Sequence, residues 1–216
     1  MQRSLLFLIL LFSFTTNAQD IGDLFTAGKG IAGNSSQDKI PKRWFSTAEA
    51  EFSVNYEVRY DFSRYKTNGD LISGGNAELE NKASFGALYS INYPVFNKLS
   101  LGAVGGFQYQ GQQKISALKL GAIIRYHFIN YESVNINLMT AYNVGLSDKI
   151  KGDMANVRLG LQFPIVKNYD FNLNLNVFAD YNYYMLDENQ AFLDEPGERG
   201  KSLIYRSYGV SLGFLF

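Results

Sequence analysis

Apolar and polar residues alternate along most of the chain from Ala48 onward, and the alternation is sharpest at the C-terminal end. Counting back from the last residue in steps of two gives Phe216, Phe214, Leu212, Val210, Tyr208, Arg206 and Ile204. The positions between them are small or polar near the end, apart from Leu215. Successive side chains of a strand point to opposite faces. The pattern therefore predicts a strand with one apolar face and one slim, polar face.

Seven further segments alternate in the same way, and the pattern predicts eight strands at 48–62, 83–93, 99–109, 118–128, 134–146, 156–163, 171–185 and 202–216. A strand of nine to eleven residues, tilted by about 45°, crosses a bilayer. In the seventh segment Asn172, Asn174 and Asn176 oppose Leu173 and Leu175. This asymmetry favours an apolar exterior and a polar interior. The fold class is predicted as all-β, an eight-stranded antiparallel up-and-down transmembrane β-barrel. A lipocalin-like barrel, with its apolar faces inward, is the soluble alternative and is disfavoured.

Connection lengths divide the predicted barrel into two ends. The turns at 94–98, 129–133 and 164–169 are tight, whereas 63–82 and 187–202 are long and polar. Aromatic residues collect near strand ends, as in the two aromatic girdles of membrane barrels. One predicted rim consists of Tyr93, Phe128, Phe163, Phe171, Phe214 and Phe216, and the other of Tyr60, Phe62, Phe107, Tyr109, Tyr142, Tyr181 and Tyr183.

The N-terminal residues read as a secretory signal peptide. Arg3 precedes an apolar run from Leu5 to Phe14, and Thr16-Asn17-Ala18 has the small-x-small form of a cleavage site. We therefore divide the chain into a signal peptide (1–18), a flexible extension (19–44) and the barrel (45–216). The chain has no cysteine, which excludes disulfides and the usual bacterial lipoprotein anchor.

Strand number, aromatic girdles and the terminal Phe together resemble the small eight-stranded outer-membrane proteins of the OmpX/OmpA barrel type, as a barrel alone. The resemblance implies a location in the outer membrane of a Gram-negative cell, with both termini in the periplasm. It implies contact with outer-membrane lipid and, during assembly, with the barrel-insertion machinery. The assembly signal that this machinery reads would be the outward side of the last strand, Tyr208, Val210, Leu212, Phe214 and Phe216. The short loops at 110–115 and 147–152 weaken a role in surface adhesion.

Charged residues fall on the predicted inward face, at Glu49, Glu51, Glu57, Arg59, Asp61, Lys119, Arg125, His127, Arg158 and Asp180. An eight-stranded barrel is only wide enough to be filled by side chains. Charges inside it need partners, because an unpaired buried ion is very unfavourable. We therefore predict an ion-pair network that plugs the lumen, with a gated ion path as the alternative. The charged loop at 187–201 is interpreted as solvated, since its spacing matches no calcium-binding loop.

Catalytic and nucleotide-binding signatures are absent from the sequence. His127 is the one histidine, and the topology puts it at the periplasmic end, away from where lipid-modifying barrels act. The formal net charge is zero, so nucleic acid is not an expected partner. We predict a non-enzymatic protein with no cofactor and no metal, acting in envelope integrity, surface interaction or as an accessory to an envelope protein. A narrow pore or small-ligand carrier is the first alternative, and an outer-leaflet lipid-modifying enzyme is the second.

Overall fold

The computed structural model describes residues 42–80, 82–129, 132–167, 172–187 and 189–216. The predicted signal peptide, residues 19–41 of the predicted extension and Phe171 lie outside the described residues. The described part contains no helix capable of crossing a membrane.

Nine strands run through this part of the chain: β1 (Phe45–Tyr65), β2 (Leu71–Glu78), β3 (Ala83–Phe96), β4 (Leu99–Gln110), β5 (Ile115–His127), β6 (Asn135–Gly145), β7 (Ile150–Lys167), β8 (Asn172–Leu186) and β9 (Glu198–Leu215). Eight of them pair as antiparallel neighbours in the order β1-β3-β4-β5-β6-β7-β8-β9, and β9 returns to pair with β1. The ring is therefore closed, and the predicted eight-stranded antiparallel barrel is confirmed.

The barrel has two ends that differ in their connections. At the terminal end, β1 begins at Phe45, β9 finishes at Leu215, and a two-residue turn joins β3 to β4. At the loop end lie the hairpin between β1 and β2 and the connection between β8 and β9. We call these two ends of the barrel the terminal end and the loop end.

β2 lies inside the segment 63–82, which the sequence predicts to be a loop, and this prediction is wrong. The strand pairs with Arg59–Tyr65 at the loop end of β1. β3 pairs with β1 only up to Val54, opposite Ala83, so the β1 edge beyond that point is available to β2. The sequence of β2, Leu-Ile-Ser-Gly-Gly-Asn-Ala-Glu, has no alternation of period two, and pattern reasoning misses it.

Apolar side chains cover the outside of the ring, and polar side chains fill its inside. Leu120 on β5 is 57 % exposed and Leu159 on β7 is 56 % exposed, whereas Asn137 and Asn174 are buried. This arrangement is the reverse of a water-soluble protein, and it is the arrangement expected when the surroundings of the ring are hydrocarbon. A closed ring also leaves no unpaired strand edge in that medium.

A β-bulge in β1 inverts the faces of the strand toward the loop end. The pairing of β1 with β9 shifts between Asn55 and Glu57, so one extra residue separates the two halves of the strand. Beyond the bulge, Val58, Tyr60 and Phe62 are buried. The apolar alternation in the sequence continues through this point without a break, so it cannot show the inversion. The predicted outward positions of Tyr60 and Phe62, as part of an aromatic rim, are wrong.

Candidate functional site: the barrel interior

Six charged side chains meet inside the ring, and none is more than 7 % exposed. Three are carboxylates and three are cations, so the buried group is formally neutral. β1 supplies two of the anions, β8 the third, and β5 and β7 the cations. We call these six residues the charged layer: Glu49, Glu51, Lys119, Arg125, Arg158 and Asp180.

Arg158 is the centre of one half of the charged layer. Its Nη1 donates to Glu51 Oε2 at 2.5 Å, and its Nη2 donates to Asp180 Oδ2 at 3.1 Å. The guanidinium also lies 3.9 Å from the ring centroid of Phe178. Lys119 Nζ lies 3.7 Å from Glu51 Oε1 and 3.5 Å from Asp180 Oδ2. Two cations and two carboxylates therefore form a compact group in which each charge faces opposite charge.

Arg125 organises the other half, nearer the terminal end. Its Nη2 lies 3.4 Å from Glu49 Oε1 and also reaches the Thr47 hydroxyl at 3.3 Å. Its Nη1 donates to Gln162 Oε1 at 2.5 Å. Ser211 donates its hydroxyl to Glu49 Oε2 at 2.7 Å. Neutral hydroxyls and amides thus complete the hydrogen bonding that the ions leave open, as a buried charge requires.

Glycines on the inward face make room for these side chains. A Cβ atom at Gly213 would come within 2.7 Å of Glu49 Cγ, and one at Gly86 would meet the Glu51 carboxylate and the Phe107 carbonyl. These approaches are too close for any side chain larger than hydrogen. The slim, polar face that the sequence shows on the last strand is therefore the space into which the charged layer fits.

Three of the predicted lumen charges lie on the outside, and for these the prediction is wrong. The bulge in β1 turns Glu57, Arg59 and Asp61 away from the interior. Arg206 Nη1 contacts Glu57 Oε2 at 2.7 Å, and Arg59 Nε contacts Asp61 Oδ1 at 3.0 Å. The Arg206 and Arg59 side chains are 45 % and 46 % exposed. These pairs follow directly on the stacked rings of Tyr56 and Tyr208, where the apolar exterior ends.

His127 is buried at the terminal end, with Nε2 lying 2.9 Å from Ser100 Oγ. The contact depends on the register between β4 and β5, which the sequence does not reveal. Catalysis by a Ser–His pair needs a reachable nucleophile and a group that orients the imidazole. Here both side chains are below 2 % exposed. The described residues contain no group of three or more His, Cys, Asp or Glu side chains placed to hold a metal ion.

A second, apolar layer lies inside the ring toward the loop end. We call it the loop-end cluster, and its buried members are Val58, Tyr60, Phe62, Ile115, Ala117, Tyr184, Leu186, Leu203 and Tyr205. Phe192 and Leu193, from the β8–β9 connection, pack against it. The rings of Tyr60 and Phe62 stack at 5.5 Å, and Phe192 meets Tyr60 edge-on at 5.3 Å. The sequence places Tyr60 and Phe62 outside, so it misses this layer.

One carboxylate holds the β8–β9 connection in place. Glu198 Oε1 accepts the Tyr60 hydroxyl at 2.6 Å and the Phe192 N–H at 2.9 Å. Its Oε2 accepts the Glu195 N–H at 3.1 Å and the Leu193 N–H at 3.3 Å.

The closed ring, the apolar exterior and the polar interior define a membrane-spanning β-barrel. A closed ring of eight antiparallel strands is what the resemblance to the small outer-membrane barrels predicts, so the resemblance is confirmed at the level of fold. The outward side of β9 carries four residues of the predicted assembly signal, the fifth, Phe216, follows directly after the strand, and all five are exposed; the signalling role itself stays a prediction.

No protein-family model matches the sequence, and no curated protein does. Solved structures of similar form include the outer membrane protein AlkL in lipid bilayers, with 13 % identity, a TM-score of 0.43 and coverage of 85 % of this chain and 94 % of that chain. The Neisserial surface protein A has 15 % identity, a TM-score of 0.41 and coverage of 78 % and 95 %. OprG from Pseudomonas aeruginosa has 12 % identity, a TM-score of 0.43 and coverage of 80 % and 95 %.

Proposed function

We propose that this chain is a non-enzymatic integral protein of the Gram-negative outer membrane whose barrel is closed to ions and solutes. Its termini lie in the periplasm and its loop end lies outside. The observation that carries the proposal is the charged layer, in which six buried ions neutralise one another. A water-filled channel would instead hydrate such groups and leave them free to attract permeating ions.

Four of the five ion pairs in the charged layer cross the interior, and the fifth, Arg158–Asp180, joins the neighbouring strands β7 and β8. Arg125 and Lys119 on β5 reach Glu49 and Glu51 on β1, although β3 and β4 separate these strands in the ring. Arg158 on β7 reaches Glu51 past β8 and β9 in the same way. Side chains that reach this far across the barrel occupy the space through which a solute would pass.

The loop-end cluster adds a second closure of different chemistry. Its aromatic and aliphatic side chains fill the interior where the β8–β9 connection covers it, and Phe192 and Leu193 complete the cover. An ion crossing the barrel would have to pass an apolar layer and then displace bonded charges. Each step is strongly unfavourable for a hydrated ion.

A closed interior directs the protein's interactions to its outer surfaces. The apolar band contacts lipid, and the loop end presents the β1–β2 hairpin and the β8–β9 connection. We therefore assign the chain to the structural and interaction proteins of the envelope, acting in envelope integrity or as an accessory to another envelope component. Barrel-insertion machinery would be its partner during assembly.

Planar-bilayer recording tests this proposal. We expect no long-lived conductance steps from the purified protein, and none from Glu198→Gln, since loosening the loop leaves the charged layer intact. Adding Glu51→Ser and Arg158→Ser to Glu198→Gln removes the central crossing pair as well as the anchor of the loop-end cover, and this triple variant should show leak currents. Large, long-lived open steps from the unmodified protein would contradict a closed barrel and favour the narrow pore.

A further inference from the structure

We propose that the loop-end cluster is a binding site for a small carboxylate with an aromatic or branched apolar body. In this structure the protein's own β8–β9 connection occupies the site, as an internal substitute for that ligand. The inference rests on the proposed function for the orientation that puts the loop end outside the cell. It does not require a conducting barrel, because the charged layer lies deeper.

The first argument concerns the side chains that the β8–β9 connection places against the loop-end cluster. Phe192 and Leu193 supply an aromatic ring and a branched aliphatic group, and both pack against the loop-end cluster. Two residues further on, the carboxylate of Glu195 forms an ion pair with Arg64 of β1. An apolar body and a nearby carboxylate are the two parts of an amphiphilic acid. The segment therefore presents to the barrel the same chemistry that we assign to the ligand.

Arg64 is the second argument. Its guanidinium lies 5.3 Å from the ring centroid of Phe62, so the cation borders the apolar cluster directly. Its Nε is buried and has no hydrogen-bond acceptor among the described residues. The ion pair with Glu195 therefore leaves the Nε–H donor of the Arg64 guanidinium unused. A free carboxylate could bind the same guanidinium in the two-bonded geometry that arginine favours.

The third argument is that one side chain holds the inserted residues, so that a single change can release them. The backbone N–H groups of the connection converge on Glu198, which opens β9 and belongs to the barrel. Lys149, whose Nζ lies 5.8 Å from the centroid of the Phe192 ring and donates to the Gln113 carbonyl, is a second cation at this rim. When the segment leaves, both cations lose a contact with it and become available to an incoming anion. A ligand that binds only the open form shifts the population toward it.

Variants at Arg64 and at Glu195 distinguish binding of the probe at this site from partition of the probe into lipid. The probe is 3-phenylpropionate, titrated by calorimetry into the full chain in lipid nanodiscs, with empty nanodiscs and 3-phenylpropan-1-ol as controls. Glu195→Gln frees Arg64 and removes the competing carboxylate. We expect it to tighten probe binding about two- to fivefold, the scale of a half-exposed ion pair. Arg64→Gln should weaken binding of the acid about tenfold or more, as loss of a charge-assisted contact does, and should not weaken binding of the alcohol.

Glu198→Gln is the second route to the open form, because an amide is a weaker acceptor for three N–H groups and the Tyr60 hydroxyl. It should also tighten binding of 3-phenylpropionate. Unfolding midpoints confirm that each variant is folded. The inference fails if folded Glu195→Gln and Glu198→Gln show no saturable binding above empty nanodiscs. It also fails if Arg64→Gln binds acid and alcohol as the unmodified chain does. Neither result would imply conductance, so the proposed closed barrel is judged separately.

Discussion

Replacing Arg158 by alanine is expected to lower the free energy of unfolding by about 3–5 kcal/mol, the range for removing one partner of a buried ion pair. The change leaves Glu51 and Asp180 with Lys119 as their remaining cation, at 3.7 and 3.5 Å. It also removes the guanidinium from the face of Phe178 and opens a cavity beside it. Two carboxylates sharing one ammonium in a buried site carry an uncompensated negative charge. Refolding titrations with urea in lipid vesicles give the free energy directly.

Arg206→Ala is the matched control for that result. Arg206 also pairs with a glutamate on β1, at 2.7 Å compared with 2.5 Å for Arg158. Its side chain is 45 % exposed, so water and salt screen the pair, and the expected effect is about 0–1 kcal/mol. Equal losses for the two variants would contradict a buried charged layer, because burial, a second carboxylate and the Phe178 ring would then add nothing to the contribution of Arg158.

Val177→Arg should destabilise the barrel by about 2–4 kcal/mol, the range for a cation at the bilayer midplane on the lipid face. Val177 lies near the middle of β8, points outward and is 42 % exposed. It pairs with Val210 of β9, which is also outward, so the residue directly opposite has no group that would accept the guanidinium. The measurement is again the free energy of unfolding in vesicles.

Tyr181→Arg is the control on the same strand and face, four residues closer to the loop end. It lies opposite Arg206, at the level where charged side chains begin on the exterior, and the pairing of Arg206 with Glu57 limits the repulsion between the two cations. We expect a loss of about 0–1 kcal/mol there, as for positions near the membrane interface. A larger loss for Tyr181→Arg than for Val177→Arg would place the apolar band elsewhere along the strand.

The fold can be predicted from the sequence because the alternation of period two shows which side chains share a face. An apolar exterior is already indicated by the asparagines at 172, 174 and 176, which lie opposite Leu173 and Leu175. The same reasoning puts the six members of the charged layer on the inward face. Their pairing is not readable from the sequence, since Arg158 meets Glu51 across the barrel and this contact depends on the register of every strand between them.

The bulge at Tyr56 shows where alternation fails as a guide. One inserted residue moves Glu57, Arg59 and Asp61 outside and brings Val58, Tyr60 and Phe62 inside. The apolar residues keep their spacing through the bulge, so the sequence looks the same with or without it. The role of Glu198 is equally hidden, because its hydrogen bonds depend on the path of an irregular connection.

Thiol accessibility tests the closed, filled interior most directly, since the chain has no cysteine of its own. Ser53→Cys is a nearly isosteric change at an inward position that is 3 % exposed, and Lys201→Cys adds a thiol on the exposed side of β9. In intact vesicles a charged methanethiosulfonate should modify Lys201→Cys quickly and leave Ser53→Cys unmodified until the protein is unfolded. Modification of Ser53→Cys in the folded protein at a rate close to that of Lys201→Cys would mean a water-filled lumen and would contradict the account.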